Sequence, residues 1–252
     1  MSAPRTVGGK RAVAEAIRAG RAVEVLMAPN VHATQGMRSL TDAATRHGVP
    51  LREADRRELD RLAEDHRGVV AVLSDADVPD ELGERDLALR RYADGAIVVI
   101  LDGVTDPQNL GAAARSAEAA GAAVLVTRTR RAAEVTPAAI RASSGALLHL
   151  PIARVANIAR AIGRLQDAGF TIVGLDGEAP ASIYAEPCPP GRVAIVIGSE
   201  GTGLSRLVRD RCDLLRSLPM RGRVGSLNAS ASLAAALYGY VLPSRPSGGA
   251  GA

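Results

Sequence analysis

The feature that most constrains the fold is an uninterrupted apolar run, AIVVIL, at residues 96–101. A strand with one face in water alternates apolar and polar residues, whereas a run that is apolar throughout is typical of a strand covered on both faces of a parallel sheet. Further apolar runs follow, separated by stretches with helical spacing, which predicts an α/β fold with a mostly parallel sheet. The later strands are predicted at residues 123–126, 146–152, 171–175, 193–197 and 214–218, and a last helix at 228–241.

The chain before this sheet alternates shorter helix and strand patterns, which predicts a small α/β domain in the first 75 residues. Its helices are predicted at residues 10–19 and 35–46, and its strands at 23–28, 49–51 and 69–73. Residues 76–95 are charged and rich in turn formers, so we predict a linker there with room for a short helix. The predicted domains are residues 1–75 and 96–243, followed by a disordered tail at 244–252.

Composition excludes several classes of protein. The chain has no run of roughly 18 apolar residues, the length of a membrane span. Residues 1–13 lack the apolar core of a secretory signal, so we expect a cytoplasmic protein with no membrane partner. The two cysteines, Cys188 and Cys212, have neither the spacing of zinc ligands nor that of a disulfide scaffold. We expect reduced thiols and no metal.

The basic residues indicate a polyanionic partner. They comprise 31 lysines and arginines, of which Lys10 is the only lysine, and the formal net charge is +4. Six arginines lie between residues 205 and 223, against only Asp210 and Asp213. Guanidinium groups suit bidentate recognition of phosphate, and the five aromatic residues of the chain are too few for a base-stacking surface. An RNA partner would be bound through arginine, backbone donors and shape.

The first of three segments with chemical potential is LDGVTDPQNLGAAARSAEAAG, residues 101–121. The Asp106-Pro107 pair predicts a turn after the strand, and Asn109 is a candidate cap for the following helix. Gly121 can end that helix in a left-handed conformation. Arg115 is the only cation in this alanine-rich helix. Taken alone, it would be an ordinary solvated residue.

The second segment, IVIGSEGTGLS at residues 195–205, is a glycine-rich turn after an apolar strand. Such a turn can bind a cofactor through backbone N–H groups. It matches neither a Walker loop, because the required Lys is absent, nor the GxGxxG fingerprint of dinucleotide-binding proteins. Taken alone, Glu200 would simply complement a helix dipole.

The third segment is LPMRGRVGSLNASASLAAALYGYVL, residues 218–242. Its second half has helical spacing, with Ser226 or Asn228 at the N-terminus as a cap. The predicted apolar face of this helix comprises Leu227, Ala231, Ala234 or Ala235, Tyr238 and Leu242.

Together and in this order, the three segments closely resemble the three motifs of the SpoU (TrmH) family of RNA 2'-O-ribose methyltransferases. Those motifs are an Asn-Leu-Gly loop with a downstream Arg, a GxEGxG loop, and a Pro-Met segment followed by Ser-Leu-Asn. GGKRAVAEAI at residues 8–17 and HRGVVA at residues 66–71 also resemble the N-terminal substrate-binding domain of the family's 23S rRNA guanosine methyltransferases.

The resemblance implies a fold and partners that the pattern of apolar runs does not. It implies a SPOUT-type catalytic domain tied in a trefoil knot, although knots are nearly absent from proteins. It also implies an N-terminal α/β domain similar to ribosomal protein L30e. S-adenosylmethionine is the implied cofactor, RNA, most simply 23S rRNA, the implied partner, and a homodimer the implied assembly.

Site residues are implied by motif. The cofactor pocket would include Gly198, Leu218 and Leu227. The catalytic residues would be Asn109, Arg115, Glu200, Ser226 and Asn228. A guanidinium is a poor proton acceptor at neutral pH, so we expect Arg115 to bind a phosphate and stabilise developing alkoxide charge, leaving the proton to a phosphate oxygen or water.

Other functions remain open at this point. The substrate could be a tRNA ribose, or an adenosine of 23S rRNA whose methylation confers resistance. The chain could also be an RNA-binding factor without activity, although the retained polar set argues against it. A nucleotide-dependent oxidoreductase would need a dinucleotide fingerprint, which we do not find.

Overall fold

The computed structural model describes residues 5–29, 35–74, 81–223 and 225–245, and these form two sheets. The first sheet has four strands in the order β1-β4-β2-β3, antiparallel except for the β2–β3 pair. Its elements are β1 (Thr6–Gly8), α1 (Lys10–Arg18), β2 (Ala22–Met27), α2 (Gln35–Arg46), β3 (Leu51–Glu53), α3 (Arg56–Leu62) and β4 (Val69–Leu73).

The second sheet has seven strands in the order β11-β9-β10-β6-β7-β8-β5, and all of its pairs are parallel. Its strands are β5 (Glu81–Leu82), β6 (Ile97–Asp102), β7 (Val124–Arg128), β8 (Ile152–Val155), β9 (Phe170–Leu175), β10 (Arg192–Gly198) and β11 (Leu214–Arg216). The helices are α4 (Glu84–Leu89), α5 (Pro107–Ala119), α6 (Pro137–Ala142), α7 (Ile158–Asp167), α8 (Arg206–Arg209) and α9 (Ala229–Ala236). The predicted α/β class with a mostly parallel sheet is confirmed, and the knot stays a prediction.

The central strand β6 is covered on both faces, as AIVVIL predicts. Val99 and Leu101 belong to one hydrophobic core, and Val98 and Ile100 belong to another on the opposite face. Each of these four side chains is at most 1% exposed. Full burial of such a side chain contributes about 1.5–3 kcal/mol relative to exposure, so the strand is a major source of stability for the domain.

Two sequence predictions about local structure are wrong. Residues 146–152 are not one strand, because Gly145 turns the chain with φ +94° and Ala146–Leu148 then closes as a 3-10 turn before β8 begins. Asn109 does not cap α5, because Asp106 accepts from the backbone N–H of Gln108 and Pro107 occupies the first turn. The side chain of Asn109 is therefore available for other contacts.

The last helix also differs from its prediction. Asn228 is its N-cap, and α9 continues into a π-helical turn at Leu237–Val241 and a 3-10 turn at Leu242–Ser244. The predicted apolar face is wrong, since Leu227 and Tyr238 are exposed. The buried positions are Ala229, Leu233, Ala236, Leu237, Tyr240 and Val241.

The segment between the two sheets contributes structure that composition conceals. Residues 75–80 lie outside the described residues, but β5 pairs with β8, and α4 follows it directly. Glu84 of α4 forms a bidentate ion pair with Arg160 of α7. The part of the predicted linker that the structure describes therefore packs on the larger sheet. Of the predicted tail at residues 244–252, the structure describes Ser244, which ends a 3-10 turn, and Arg245; residues 246–252 lie outside the described residues.

The two sheets share one hydrophobic core. Val13 and Ile17 of α1 belong to the same cluster of buried residues as Ile140 and Leu147. At the contact, a Cβ added to Gly145 would lie 2.3 Å from Cβ of Glu15. The carboxylate of Glu15 in turn lies 3.2 Å from Nε2 of His149. The N-terminal unit is thus packed against the unit that holds the larger sheet, and not merely tethered to it.

Close helix packing at Gly111 gives a stability prediction. A Cβ at Gly111 of α5 would lie 2.5 Å from Cβ of Ala142 and 2.6 Å from the carbonyl oxygen of Ala139. A Cβ at Gly163 of α7 would meet nothing within 4 Å. We expect Gly111→Ala to lower the free energy of unfolding by about 1–3 kcal/mol through overpacking. Gly163→Ala should leave it unchanged or raise it by up to about 1 kcal/mol.

Urea denaturation of the two variants measures the difference. Both replacements gain the same helix propensity, so the contrast isolates the close approach of α5 and α6. Equal stability of the two variants would show that this approach is not required.

Candidate functional site

A cavity of about 650 Å³ opens at the carboxyl ends of β9 and β10. Such a volume lies within the range of small-molecule sites. Most of its lining comes from three stretches that are distant in sequence: residues 175–178 after β9, the glycine loop at 198–204 after β10, and residues 225–229 at the start of α9. Parallel strands deliver these loops to one edge of the sheet, where open α/β sheets bind ligands.

The glycine loop is folded tightly back on itself. Ser199 and Gly203 exchange two backbone hydrogen bonds of 3.1 and 3.0 Å. A Cβ at Gly198 would lie 2.0 Å from the carbonyl carbon of Gly203, which no side chain could tolerate. Gly201 and Gly203 have φ of +82° and +66°, in the left-handed region that favours glycine. The sequence GSEGTG therefore encodes a tight turn whose backbone forms part of the cavity wall.

Three polar side chains, one from each motif, meet at the mouth of this cavity. The amide nitrogen of Asn228 donates to Oε1 of Glu200 and to Oδ1 of Asn109, each over 2.7 Å. The amide of Asn109 also donates to Oε1 of Glu200, over 3.0 Å. The contacts join residues separated by 91 and 119 positions in the chain. We call Asn109, Glu200 and Asn228 the polar triangle.

Asn228 is fixed by a second set of bonds. Its Oδ1 accepts from the backbone N–H of Ser230 and Ala231, which caps α9, and from the hydroxyl of Ser230. The side-chain oxygen of Asn228 thus caps α9, and its amide nitrogen donates the hydrogen bonds of the polar triangle. Because both ends are engaged, the side chain is held in one orientation.

Behind the polar triangle, the carboxylate of Asp102 ties neighbouring loops together. It is 3% exposed, accepts from Nη2 of Arg128 over 2.7 Å, and accepts from the backbone N–H of Ser205 over 2.8 Å. Asp102 ends β6, Arg128 ends β7 and Ser205 precedes α8. Sequence analysis missed this residue, and the signal that it is special is a charge at the end of an all-apolar run.

Sequence analysis also missed the charged wall of the cavity. Asp176 and Glu178, just after β9, both pair with Arg209 of α8, at 3.0 and 3.5 Å. Arg216 is likewise paired, with Glu186 at 2.6 Å. The predicted basic cluster at residues 205–223 is therefore less basic in the fold than in the sequence, because three of its six arginines, Arg206 included, pair with acids of the same chain.

The structure brings most of the predicted site residues together. Gly198, Leu218 and Leu227, predicted for the cofactor, line the cavity. Glu200, Ser226 and Asn228 also line it, and Asn109 joins it through the polar triangle.

Arg115 lies apart from the cavity. It is exposed on α5 and makes no hydrogen bond or ion pair with the described part of the chain. It follows Asn109 by six positions in α5, which corresponds to about 9 Å along the helix axis and about 120° around it. Arg115 therefore does not reach the polar triangle of its own chain without rearrangement.

The remaining reactive groups carry no sign of metal or disulfide chemistry. Cys188 and Cys212 are both free. Burial, with Asp213, Asp102 and Asp176 nearby, raises the pKa of the Cys212 thiol to about 12, so it stays protonated at neutral pH. Across residues 5–29, 35–74, 81–223 and 225–245, no group of His, Cys, Asp or Glu could hold a metal ion. Nor is any helix there long and apolar enough to cross a membrane.

Known families match both parts of the chain. Residues 96–238 match the SpoU rRNA Methylase family, and residues 6–79 match the family described as RNA 2'-O ribose methyltransferase substrate binding.

Individual relatives cover most of the chain. A 23S rRNA (guanosine-2'-O-)-methyltransferase of Pseudomonas putida is 39% identical over 80% of this chain and 81% of its own length. A TrmH family tRNA/rRNA methyltransferase of Staphylococcus haemolyticus is 35% identical over 91% and 92%. Among solved structures, the SpoU methyltransferase AviRb of Streptomyces viridochromogenes, in complex with AdoMet, superposes with a TM-score of 0.72 at 27% identity, covering 94% of this chain and 88% of that one. The polar triangle thus joins the three motifs of a recognised family, and the chain belongs to the SpoU methylase family.

Proposed function

We propose that the protein transfers a methyl group from S-adenosylmethionine to the ribose 2'-hydroxyl of a guanosine in 23S rRNA. The observation that carries this proposal is the polar triangle, which assembles all three motifs at the mouth of a cofactor-sized cavity. The 23S rRNA guanosine methyltransferases among the relatives, at 39–42% identity, support the substrate. An rRNA substrate supports a cytoplasmic location for the enzyme.

The cavity fits the cofactor on two counts. Gly201 and Gly203 line the cavity, and a Cβ at either would meet nothing within 4 Å, so their backbone lies beside open space and can contact a ligand directly. The ionisable side chains of the wall are Asp176, Glu178 and Glu200 against Arg209, an acidic excess that suits a sulfonium cation. When bound, S-adenosylmethionine supplies an electrophilic methyl group.

The polar triangle positions the nucleophile. Oε1 of Glu200 accepts both amide donors, whereas Oε2 accepts no hydrogen bond from the described residues. Oε2 can accept from the ribose 2'-hydroxyl, and the Ser226 hydroxyl at the same mouth can bind the sugar edge. Holding the hydroxyl in line with the methyl group lowers the barrier by positioning. The proton leaves to a phosphate oxygen or water.

Arg115 enters this scheme through a second protomer. In its own chain it is remote from the polar triangle, and the proposed homodimer provides a way to bring it to a neighbouring site. There its guanidinium would bind a phosphate of the substrate and stabilise the developing alkoxide charge.

The first prediction concerns the reaction. Labelled S-adenosylmethionine should transfer methyl to bacterial 23S rRNA that lacks its native ribose methylations, leaving an alkali-resistant linkage at one guanosine. Mapping that nucleotide by alkaline hydrolysis is the measurement. Methylation of a base atom would contradict the proposed reaction, a product in tRNA or at an adenosine would contradict the proposed substrate, and RNA binding without transfer would indicate an inactive binding factor.

Asn228 separates positioning from stability. Asn228→Asp keeps an acceptor for the cap of α9 but loses both amide donors and sets a carboxylate against Glu200. We expect folding stability near that of the parent chain with turnover lowered by roughly 100-fold. Asn228→Ala should lose turnover to a similar degree and also about 1 kcal/mol of stability. Thermal melts and single-turnover methylation measure both; an active Asn228→Asp enzyme would remove the polar triangle from the mechanism.

Arg115→Ala should leave the fold and the affinity for S-adenosylmethionine nearly unchanged, because the residue lines no part of the cavity. Turnover should fall by roughly 100-fold or more, and Arg115→Lys should recover only part of it, since an ammonium lacks the planar fork. Arg164→Ala, at another exposed helical arginine, is the matched control. If calorimetry shows that Arg115→Ala no longer binds S-adenosylmethionine, the residue belongs to the cofactor pocket and the proposed role is wrong.

Subunit mixing tests the origin of Arg115. Co-expression of Arg115→Ala with Asn228→Asp yields mixed dimers that hold one intact site if the two residues act across the interface. Activity should then return to about a quarter of the parent value, because half of the dimers are mixed and each has one intact site of two. A chain that is monomeric by light scattering yet fully active would contradict the dimer.

A further inference from the structure

The loop after β7 carries two arginines that the site does not use. Arg130 and Arg131 are exposed, and neither makes a hydrogen bond or ion pair with the described part of the chain. Arg131 has φ +55°, a left-handed conformation that residues other than glycine rarely adopt. By contrast, Arg209 and Arg216 of the sequence-predicted basic cluster are bound to acids. The β7 loop therefore holds a more available pair of cations than those two positions.

The backbone of this loop is anchored on both sides. Thr129 donates its N–H to the carbonyl of Val155 over 3.0 Å, and its own carbonyl accepts from Arg154. At the other end, the N–H of Ala133 donates to the carbonyl of Val104 over 3.0 Å. The two arginines are thus mounted on a backbone fixed to β8 on one side and to the loop after β6 on the other.

The anchor at Val104 places the pair beside the proposed active site. Val104 lies in the loop that leads from β6 to Asn109, and a Cβ at Gly103 in the same loop would lie 3.4 Å from Cβ of Ser199 in the glycine loop. The exits of β10, β6 and β7 therefore lie side by side. Two strand spacings, about 10 Å, separate the β7 exit from the β10 exit.

The acidic side chains near the β7 loop do not neutralise Arg130 and Arg131. Asp102 is bound to Arg128 and Ser205, Asp106 caps α5, and Glu134 forms no ion pair with either arginine. Unpaired guanidinium groups at fixed positions suit bidentate contact with phosphate. Stacking is a poor alternative here because residues 128–135 contain no aromatic side chain.

We propose that Arg130 and Arg131 bind the phosphodiester of the RNA strand within one or two nucleotides of the target ribose. The pair is a positioning element: it fixes the strand over the carboxyl edge of the sheet so that the 2'-hydroxyl meets the polar triangle. This proposal rests on the proposed function for its substrate, but binding of RNA to the pair can be measured without methyl transfer.

The chain offers a matched control. Arg90 and Arg91 are also consecutive, but they lie between α4 and β6, at the amino edge of the same sheet. The double variant Arg130→Ala/Arg131→Ala and the control Arg90→Ala/Arg91→Ala lose the same charge at opposite edges. Arg131→Gly is a further variant that removes the guanidinium but readily accepts φ +55°, so loop misfolding is controlled.

With unmodified 23S rRNA, the β7-loop double variant should raise KM for RNA by about tenfold or more, while kcat at saturating RNA and the affinity for S-adenosylmethionine stay within about twofold. The slope of log Kd for RNA against log salt should fall by about 1.4–1.8, the loss of two phosphate contacts. The control should change KM and slope far less. Arg131→Gly should lower the slope by about half as much as the double variant does, because it removes one of the two guanidinium groups.

Phosphate ethylation interference tests the location. Ethylation of phosphates flanking the mapped guanosine should weaken binding by the parent enzyme and have little effect on the double variant. If the double variant and its control bind RNA with equal Kd and equal slope, the proposal is wrong. If RNA binding depends on Arg130 and Arg131 but no RNA is methylated by the parent enzyme, the proposed reaction fails and this binding surface stands.

Discussion

The parallel pairing of β6 with β10 is the constraint on which the site depends. The strands are paired over the full length of β6, from Ile97 opposite Val193 to Asp102 opposite Gly198. Both strands therefore end at the same height, and the loops that follow them begin as neighbours. A shift by one residue would turn every side chain of β6 to the opposite core and would separate Asn109 from Glu200. The buried contacts of β6 hold the register, and the carboxylate of Asp102 secures it at the edge where chemistry is expected.

Some features of the fold could be predicted from the sequence, each for its own physical reason. The strand AIVVIL could be predicted because a strand buried on both faces is apolar at every position and so forms a continuous apolar run. The glycine loop was predictable because Gly201 and Gly203 adopt a left-handed backbone that glycine accepts far more readily than other residues. The stretch after Gly145 was wrongly predicted as a strand, because a run of apolar residues has the same composition in a buried 3-10 turn as in a strand.

Contacts within the site were beyond the reach of spacing arguments. Nothing in a separation of 91 residues indicates that Asn109 and Glu200 share a hydrogen bond; only the motif resemblance placed them in one site. Asp102 and Asp176 were missed because a carboxylate at the end of a strand is usually solvated, and their role depends on partners from other strands and helices. Arg115 shows the converse, since the motif identifies it while the described residues of its own chain offer it no hydrogen-bond or ion-pair partner.

The core shared by the two sheets has a mechanical consequence. Because α1 is packed against α6 and the turn after Gly145, the N-terminal unit and the cavity keep a constant separation instead of varying with a flexible tether. An RNA bound at both places must span that distance, so the separation of the two sites limits which RNAs can bind productively. The target nucleotide would then be selected by its distance, in the folded RNA, from the element that the N-terminal unit binds. The sequence around the nucleotide alone would not define a substrate.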